Sequence, residues 1–377
     1  MKRNKIYLYV GLVLVLMLIS VLSLMLTNRS KDYDSPIKIA YPIYDAPYSS
    51  EDYKWLASHA DLLIAMPSEN NNLAQMKEIN PKMIFLKYQF SGLVNESKDG
   101  NSIPGFSYIM KSHKEWLLKD INGKIVVDDY SNDESYAVFP DFANKEFQDY
   151  AFSQYLDLGN FDGIFLDVVN FETKGYYPQK LGTNENEYQI QFKSYLHALH
   201  SDVPGLLVLN AAGLIFHDKT QPWAGSNEDI YDQTYGISDG ILEEAFVNLN
   251  YWNPDQIYQS KDKWERQIWT LEESGKQNKI YIAVAQNRGM DGKDSLFNAA
   301  SYLLGAHENS YFLNLGRKGY RLQNYKDEYE NFRYIYEAPL GKPLGARYFE
   351  DGVWRRDFEN GYVEADYNMK IGIIYSR

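Results

Sequence analysis

A (β/α)8 barrel is the fold the sequence predicts, and three observations point to it. Eight short, β-rich apolar runs recur along the chain, amphipathic stretches of helical length separate most of them, and no glycine-rich loop follows any run. The runs are continuous rather than alternating, as in Ile164-Phe165-Leu166 or Leu206-Leu207-Val208-Leu209. Strands buried on both faces of a parallel sheet require that pattern. Eight of them alternating with helices over roughly 300 residues suit a closed barrel better than a doubly wound sheet. A nucleotide-binding sheet would carry its phosphate loop after an early strand, and Tyr41-Pro42-Ile43-Tyr44-Asp45 is not such a loop.

In order, the strands are predicted at 37–44, 62–67, 83–90, 163–169, 206–213, 238–246, 279–286 and 310–314. Helices are predicted at 50–59, 72–79, 144–158, 187–200, 254–274, 294–307 and 325–338, each with apolar or aromatic positions three and four apart. In the third, Phe147, Tyr150, Ala151, Tyr155 and Leu158 form a stripe opposite Gln148, Asp149 and Gln154. The weakest section is 229–235, at most a short helix. Together these give a barrel over 37–340. Residues 91–140 form one long connection over the C-terminal face, where barrels build their active sites. That loop holds Tyr108, Trp116, Tyr130 and Tyr136, rings of a kind that stack on sugars or pack the loop onto the barrel. Residues 341–377 read as a small C-terminal β appendage turning at Glu359-Asn360-Gly361.

The first residues are a separate object. Lys2, Arg3 and Lys5 precede an uncharged apolar run over 6–26, after which the chain turns strongly polar. A run of this length spans a bilayer and exceeds the apolar region usual in a cleaved signal peptide. Residues 1–28 are therefore read as a transmembrane signal anchor and 29–36 as a linker, with the barrel on the extracytoplasmic side because the basic flank stays inside. The runner-up is cleavage after Val21-Leu22-Ser23, which would release a secreted protein.

Composition narrows the chemistry. The 377 residues contain no cysteine, which excludes disulfides, thiolate metal sites and cysteine nucleophiles. The net charge is −13, and removing residues 1–29 takes away four of the 38 basic residues and none of the 51 acidic ones, leaving −17. Such a surface, with no basic stripe, does not suit nucleic acid. His197 and His200 have helical spacing but no third ligand nearby, and no Gly-x-Ser-x-Gly elbow occurs. No metal, cofactor or protein partner is implied.

Two strands end on acids. Asn160-Phe161-Asp162-Gly163-Ile164-Phe165-Leu166-Asp167 is a turn feeding an apolar strand that closes on a carboxylate, and Ser238-Asp239-Gly240-Ile241-Leu242-Glu243-Glu244-Ala245-Phe246 repeats the design. In a barrel this puts Asp167 and one of Glu243 and Glu244 at the catalytic rim of strands four and six. Asn160 and Asp162 should cap or turn the strand start. Two carboxylates converging on one pocket are the equipment of glycoside hydrolysis. Tyr41, Asp45, Lys87, Tyr88, Asn210, Gln286 and Asn314 sit near other strand ends, where each could bind sugar hydroxyls or serve as a local cap. Asn210 is the preferred helper, because an amide can bridge substrate and acid. Trp116, on the long loop, joins them as a candidate sugar-stacking group. Asn170 and Glu172 follow strand four.

These segments, with Glu115-Trp116-Leu117-Leu118-Lys119-Asp120, Pro140-Asp141-Phe142-Ala143-Asn144-Lys145-Glu146 and Trp354-Arg355-Arg356-Asp357-Phe358-Glu359-Asn360-Gly361, resemble the glycosyl-hydrolase TIM barrels related to endo-α-1,4-polygalactosaminidases, over about 37–365. The resemblance implies a TIM barrel that cleaves polysaccharide, galactosamine-containing polymers being the implied class. It implies the strand-four acid, here Asp167, as nucleophile or base and the strand-six Glu as acid. The family pattern places that Glu two residues before Phe, which selects Glu244. Asp141 matches a family position and also suits a helix cap. A barrel that has lost catalysis and serves as a glycan-binding or envelope scaffold is the alternative.

Overall fold

The computed structural model describes residues 35–91, 93–94, 106–128, 137–167, 169, 185–210, 236–248, 258–287, 292–316 and 319–377. The apolar leader, 229–235, Tyr130, Tyr136, Asn170 and Glu172 lie outside them. Among the described residues no helix is long and apolar enough to cross a membrane.

Eight parallel strands form one sheet in sequential order: β1 (Ala40–Ile43), β2 (Leu62–Ala65), β3 (Ile84–Phe90), β4 (Gly163–Asp167), β5 (Leu206–Asn210), β6 (Gly240–Glu243), β7 (Ile280–Gln286) and β8 (Ser310–Leu315). The last returns to the first. Ile39 bridges Phe312 in parallel, and the Phe312 N–H donates to the Lys38 carbonyl at 2.8 Å. The sheet thus closes into the expected barrel. Around it lie α1 (Ser50–His59), α2 (Asn70–Ile79), α3 (Lys145–Tyr155), α4 (Glu185–Asp202), α5 (Lys261–Lys276), α6 (Gly292–Gly305) and α7 (Leu322–Asn331). The predicted stripe of α3 buries Phe147, Ala151 and Tyr155. Asn144 caps this helix through the Phe147 N–H, Ser260 caps α5, and Ser49 and Asp52 form a reciprocal capping box on α1.

The starts of β2, β4 and β6 repeat one device. Asp61, Asp162 and Asp239 accept the N–H groups of Ile39, Phe85 and Leu207 at 2.7, 2.8 and 2.9 Å. Each aspartate's own N–H donates back to the carbonyl of that same residue at 2.8 Å. Asp162 also pairs with Lys77, and Asp239 with His200, which gives that histidine a structural partner. The glycines that follow answer a close approach. A Cβ on Gly163 would stand 2.2 Å from the Leu206 carbonyl oxygen, and one on Gly240 would stand 2.5 Å from that of Ile280.

Two expectations change. The sixth strand, predicted over 238–246, stops at Glu243, because the chain turns sharply with Val247 at φ 66°. The connection over 91–140 is more ordered than a loop, with a helix at Phe106–Ser112 and a three-stranded antiparallel sheet of Leu93–Val94, Ala137–Val138 and Val127–Asp128. The appendage is a four-stranded antiparallel sheet, β9 (Tyr348–Glu350), β10 (Val353–Phe358), β11 (Gly361–Asp366) and β12 (Ile371–Ser376). Arg356 Nη1 anchors it by donating to the Leu303 and Ala306 carbonyls at the end of α6, at 3.1 and 2.8 Å.

Candidate active site

Asp167 ends β4, and Glu244 lies one residue past the end of β6. The Nδ2 group of Asn210, the last residue of β5 between them, donates to Asp167 Oδ1 at 2.8 Å and to Glu244 Oε2 at 3.2 Å. Only nitrogen can face two carboxylates, which fixes the orientation of the amide. Asn210 Oδ1 has no hydrogen-bond partner among the described residues. Both bonds leave one atom, so the two carboxylate oxygens lie no farther apart than those lengths end to end.

Tyrosines complete the cluster. Tyr88 on β3 donates to Asp167 Oδ2 at 2.6 Å, and Tyr320, past β8, donates to Glu244 Oε1 at 2.8 Å. Tyr44, just beyond β1, packs edge-on against both rings, with centroids 5.0 and 5.5 Å away. Burial first, and then the nearby acids, push all three phenols well above their usual range, so they stand as O–H donors. Burial, and next the charge of Asp167, also raises the Glu244 carboxyl, against the lowering effect of its bonds from Tyr320 and Asn210. The arrangement can hold a proton on Glu244 beside an acceptor-rich Asp167, the division of labour that acid–base cleavage uses.

Glu243 points the other way. It is fully buried, with the Gln267 amide and the Ala245 backbone beside its carboxyl. Burial drives its carboxyl well above the usual range, with Gln267 opposing. Glu243, the last residue of β6, thus faces α5, and Glu244, one residue past the strand, faces the pocket.

The other predicted residues divide. Gln286, at the end of β7, reaches the site indirectly by donating from Nε2 to the Glu244 carbonyl at 2.9 Å. Asp45 is exposed beyond β1, where it accepts from Tyr48. Tyr41 does not line the pocket. It is buried in the helix layer, stacked 5.8 Å from Trp55 and 4.5 Å from Tyr325, because strand alternation turns it away while Tyr44, three residues on, turns in. Asn314 also faces outward, bonded to Ser295 and Glu328 at 2.8 and 2.6 Å and to Asn298 at 3.0 Å. Trp116 is buried, stacked 3.9 Å from His113, and donates to Glu146 at 3.0 Å. It docks the 91–140 segment on α3 instead of meeting solvent. Exposed Tyr108 lies edge-on to Trp116 and stacks 5.5 Å from Tyr150 of α3. Lys87 caps the end of α3 through the Gln154 and Asp157 carbonyls, at 2.9 and 2.7 Å.

Sequence reasoning missed Tyr44 and Tyr320. Carrying the β1 alternation one step past the strand would have found Tyr44. Tyr320 lies beyond β8 with no spacing to mark it.

The family model described as hypothetical glycosyl hydrolase family 15 matches residues 77–362. No match is found among curated proteins. Among solved structures, the glycoside hydrolase domain of PelA from Pseudomonas aeruginosa aligns with a TM-score of 0.48 at 13% identity, over 73% of this chain and 93% of that one. A cycloalternan-degrading enzyme from Trueperella pyogenes aligns with a TM-score of 0.51 at 7% identity, over 81% of this chain and 47% of that one. A Flavobacterium johnsoniae dextranase gives 0.48 at 11%, over 81% and 39%.

Proposed function

The chain belongs to hypothetical glycosyl hydrolase family 15, and from that premise we propose that it hydrolyses an extracellular or cell-envelope polysaccharide with Asp167 and Glu244. The observation that carries the reading is the single Asn210 amide held between the two carboxylates at the C-terminal rim. Glu244, whose proton burial and Asp167 retain, gives that proton to the leaving oxygen. Asp167, gripped by Tyr88 and Asn210, attacks the anomeric carbon. The nearest oxygens are closer than the ~6.5–9.5 Å that inverting pairs keep for a water, which favours retention through a glycosyl-enzyme intermediate.

Galactosamine-containing polymers are the first substrates to try, on the family resemblance and on the −17 charge of residues 30–377. The same proposal keeps the barrel outside the cell, on an anchor formed by 6–26. The test is reducing-sugar release from galactosamine-rich and other envelope polysaccharides, with Asp167→Asn and Glu244→Gln as controls. Release by the wild type alone supports the reading. Glycan binding without release by any form would make the barrel a scaffold. Turnover should fall as pH rises through the elevated Glu244 pKa, since the acid must carry its proton.

A further inference from the structure

The turn that carries Glu244 is held in a conformation its sequence does not favour. Val247 sits at φ 66°, a region that a β-branched residue rarely enters, yet its side chain is buried and its backbone fully engaged. Three buried glutamines take up the turn. Gln267, from α5, accepts the Val247 N–H on Oε1 at 2.9 Å and donates from Nε2 to the Ala245 carbonyl at 2.9 Å. Gln259 donates to the same carbonyl at 2.9 Å, and its own N–H bonds the Val247 carbonyl at 2.8 Å. Gln286 holds the Glu244 carbonyl, and the Phe246 N–H reaches Val284 at 3.0 Å. Each group from the Glu244 carbonyl to the Val247 carbonyl named here thus has a fixed partner in a dry setting, where hydrogen bonds are stiff.

A strained residue persists only when its surroundings over-determine it, and such residues gather where a side chain must be aimed. The side chain aimed here is Glu244, one residue past β6 and so not fixed by the strand ladder itself. We infer that Gln267 is a positioning residue for Glu244: by bonding both Ala245 and Val247 it locks the strained turn that points the acid at Asn210, Tyr320 and Asp167. Gln267 is 0% exposed, so it acts through the turn and on the neighbouring buried Glu243 carboxyl rather than by touching substrate. The inference rests on Glu244 being the acid, and the experiment separates the two.

The full chain, solubilised in detergent, is compared as wild type, Gln267→Met, Gln267→Glu and Glu244→Gln on α-1,4-polygalactosamine. Alongside, the Glu244 carboxyl is titrated by carbon-13 NMR, which needs no substrate. Methionine keeps the volume and removes both bonds. Glutamate, neutral in that dry pocket, can keep both. Gln267→Met should lower kcat at least tenfold with KM within twofold, and should shift both the Glu244 titration and the basic limb of the pH profile toward lower pH. Gln267→Glu should restore wild-type values. If Gln267→Met does not fold, Gln267→Asn, one methylene too short to span both groups, is held to the same standard. A variant that folds with unchanged kcat and an unchanged Glu244 titration overturns the inference, as does one whose only loss is in the folded fraction. Full turnover by Glu244→Gln overturns the acid assignment itself, and a lone effect of Gln267 would then be structural.

Discussion

The two ends of the barrel strands use carboxylates in opposite ways. At the N-terminal ends, Asp61, Asp162 and Asp239 each accept a backbone N–H from the neighbouring strand while returning their own N–H to it. At the C-terminal ends, Asp167 and Glu244 take bonds from side chains, sharing the Asn210 amide and drawing one tyrosine hydroxyl each. The same strands β4 and β6 therefore carry one acid for pairing and one for proposed chemistry. A backbone donor is fixed by the ladder and spends the carboxylate on register. Side-chain donors leave two acids facing one another, and burial, with that mutual repulsion second, raises the Glu244 carboxyl.

The sharpest way to break this contrast is to neutralise the top pair. Asp167→Asn and Glu244→Gln keep shape, and their new NH2 groups can donate to the Tyr88 and Tyr320 hydroxyls once these rotate to accept, so each should cut turnover by about 10²–10⁴-fold or more while the protein stays folded in a thermal melt. Reducing-sugar assays beside calorimetry check both halves.

Glu328 supplies a buried acid outside both rims. It lies in the helix layer under Asn314 and Tyr336, and burial pushes its carboxyl up to about 7, against bonds from those two groups. The folded state holds this proton to a higher pH than the unfolded state does. Its contribution is therefore fully present below the ordinary glutamate value and is lost as pH rises to about 7. Glu328 should account for about 3 kcal/mol of the stability that the wild type sheds across that window. In urea melts at several pH values Glu328→Gln should lack that share of the loss, and an equal slope in both proteins would contradict the assignment.

Next comes the bottom rim. Asp162→Ala or Asp239→Ala leaves a strand N–H without its acceptor, which should cost about 1–3 kcal/mol in denaturant unfolding while kcat holds. A loss of kcat at constant stability would erase the distinction between the ends.

The smallest expected effect is the most discriminating. Glu243→Gln swaps a neutral buried carboxyl for a neutral amide, so activity should stay within about threefold and stability within about 1 kcal/mol. Loss of turnover in this variant alone would move the acid one residue back.

Much of this was legible in the residues. The eight continuous apolar runs dictated parallel strands buried on both faces, and the repeated turn, apolar strand and acid of 160–167 and 238–244 located the two candidate carboxylates. Asn210 could be singled out because an amide near the end of the strand between them can bridge substrate and acid. These features are local: a run's length, its period and the residue on which it stops. Tyr41, Asn314 and Trp116 failed as pocket residues for one shared reason, that proximity to a strand end or loop says nothing of which side a ring or amide faces. A shift of one position moves a side chain from pocket to helix layer, as it moves Glu243 away from Glu244.

The sequence alone thus determined the strand inventory and the short set of acids that could do chemistry, because periodicity and strand termini are properties of neighbours in the chain. Tertiary structure alone decided that Asn210 Nδ2 reaches both acids, that Tyr44 and Tyr320 close around them, and that three glutamines from α5, the segment before it and β7 hold the Glu244 turn. Those contacts join residues tens to hundreds of positions apart, and only closure of the barrel brings them within hydrogen-bond reach.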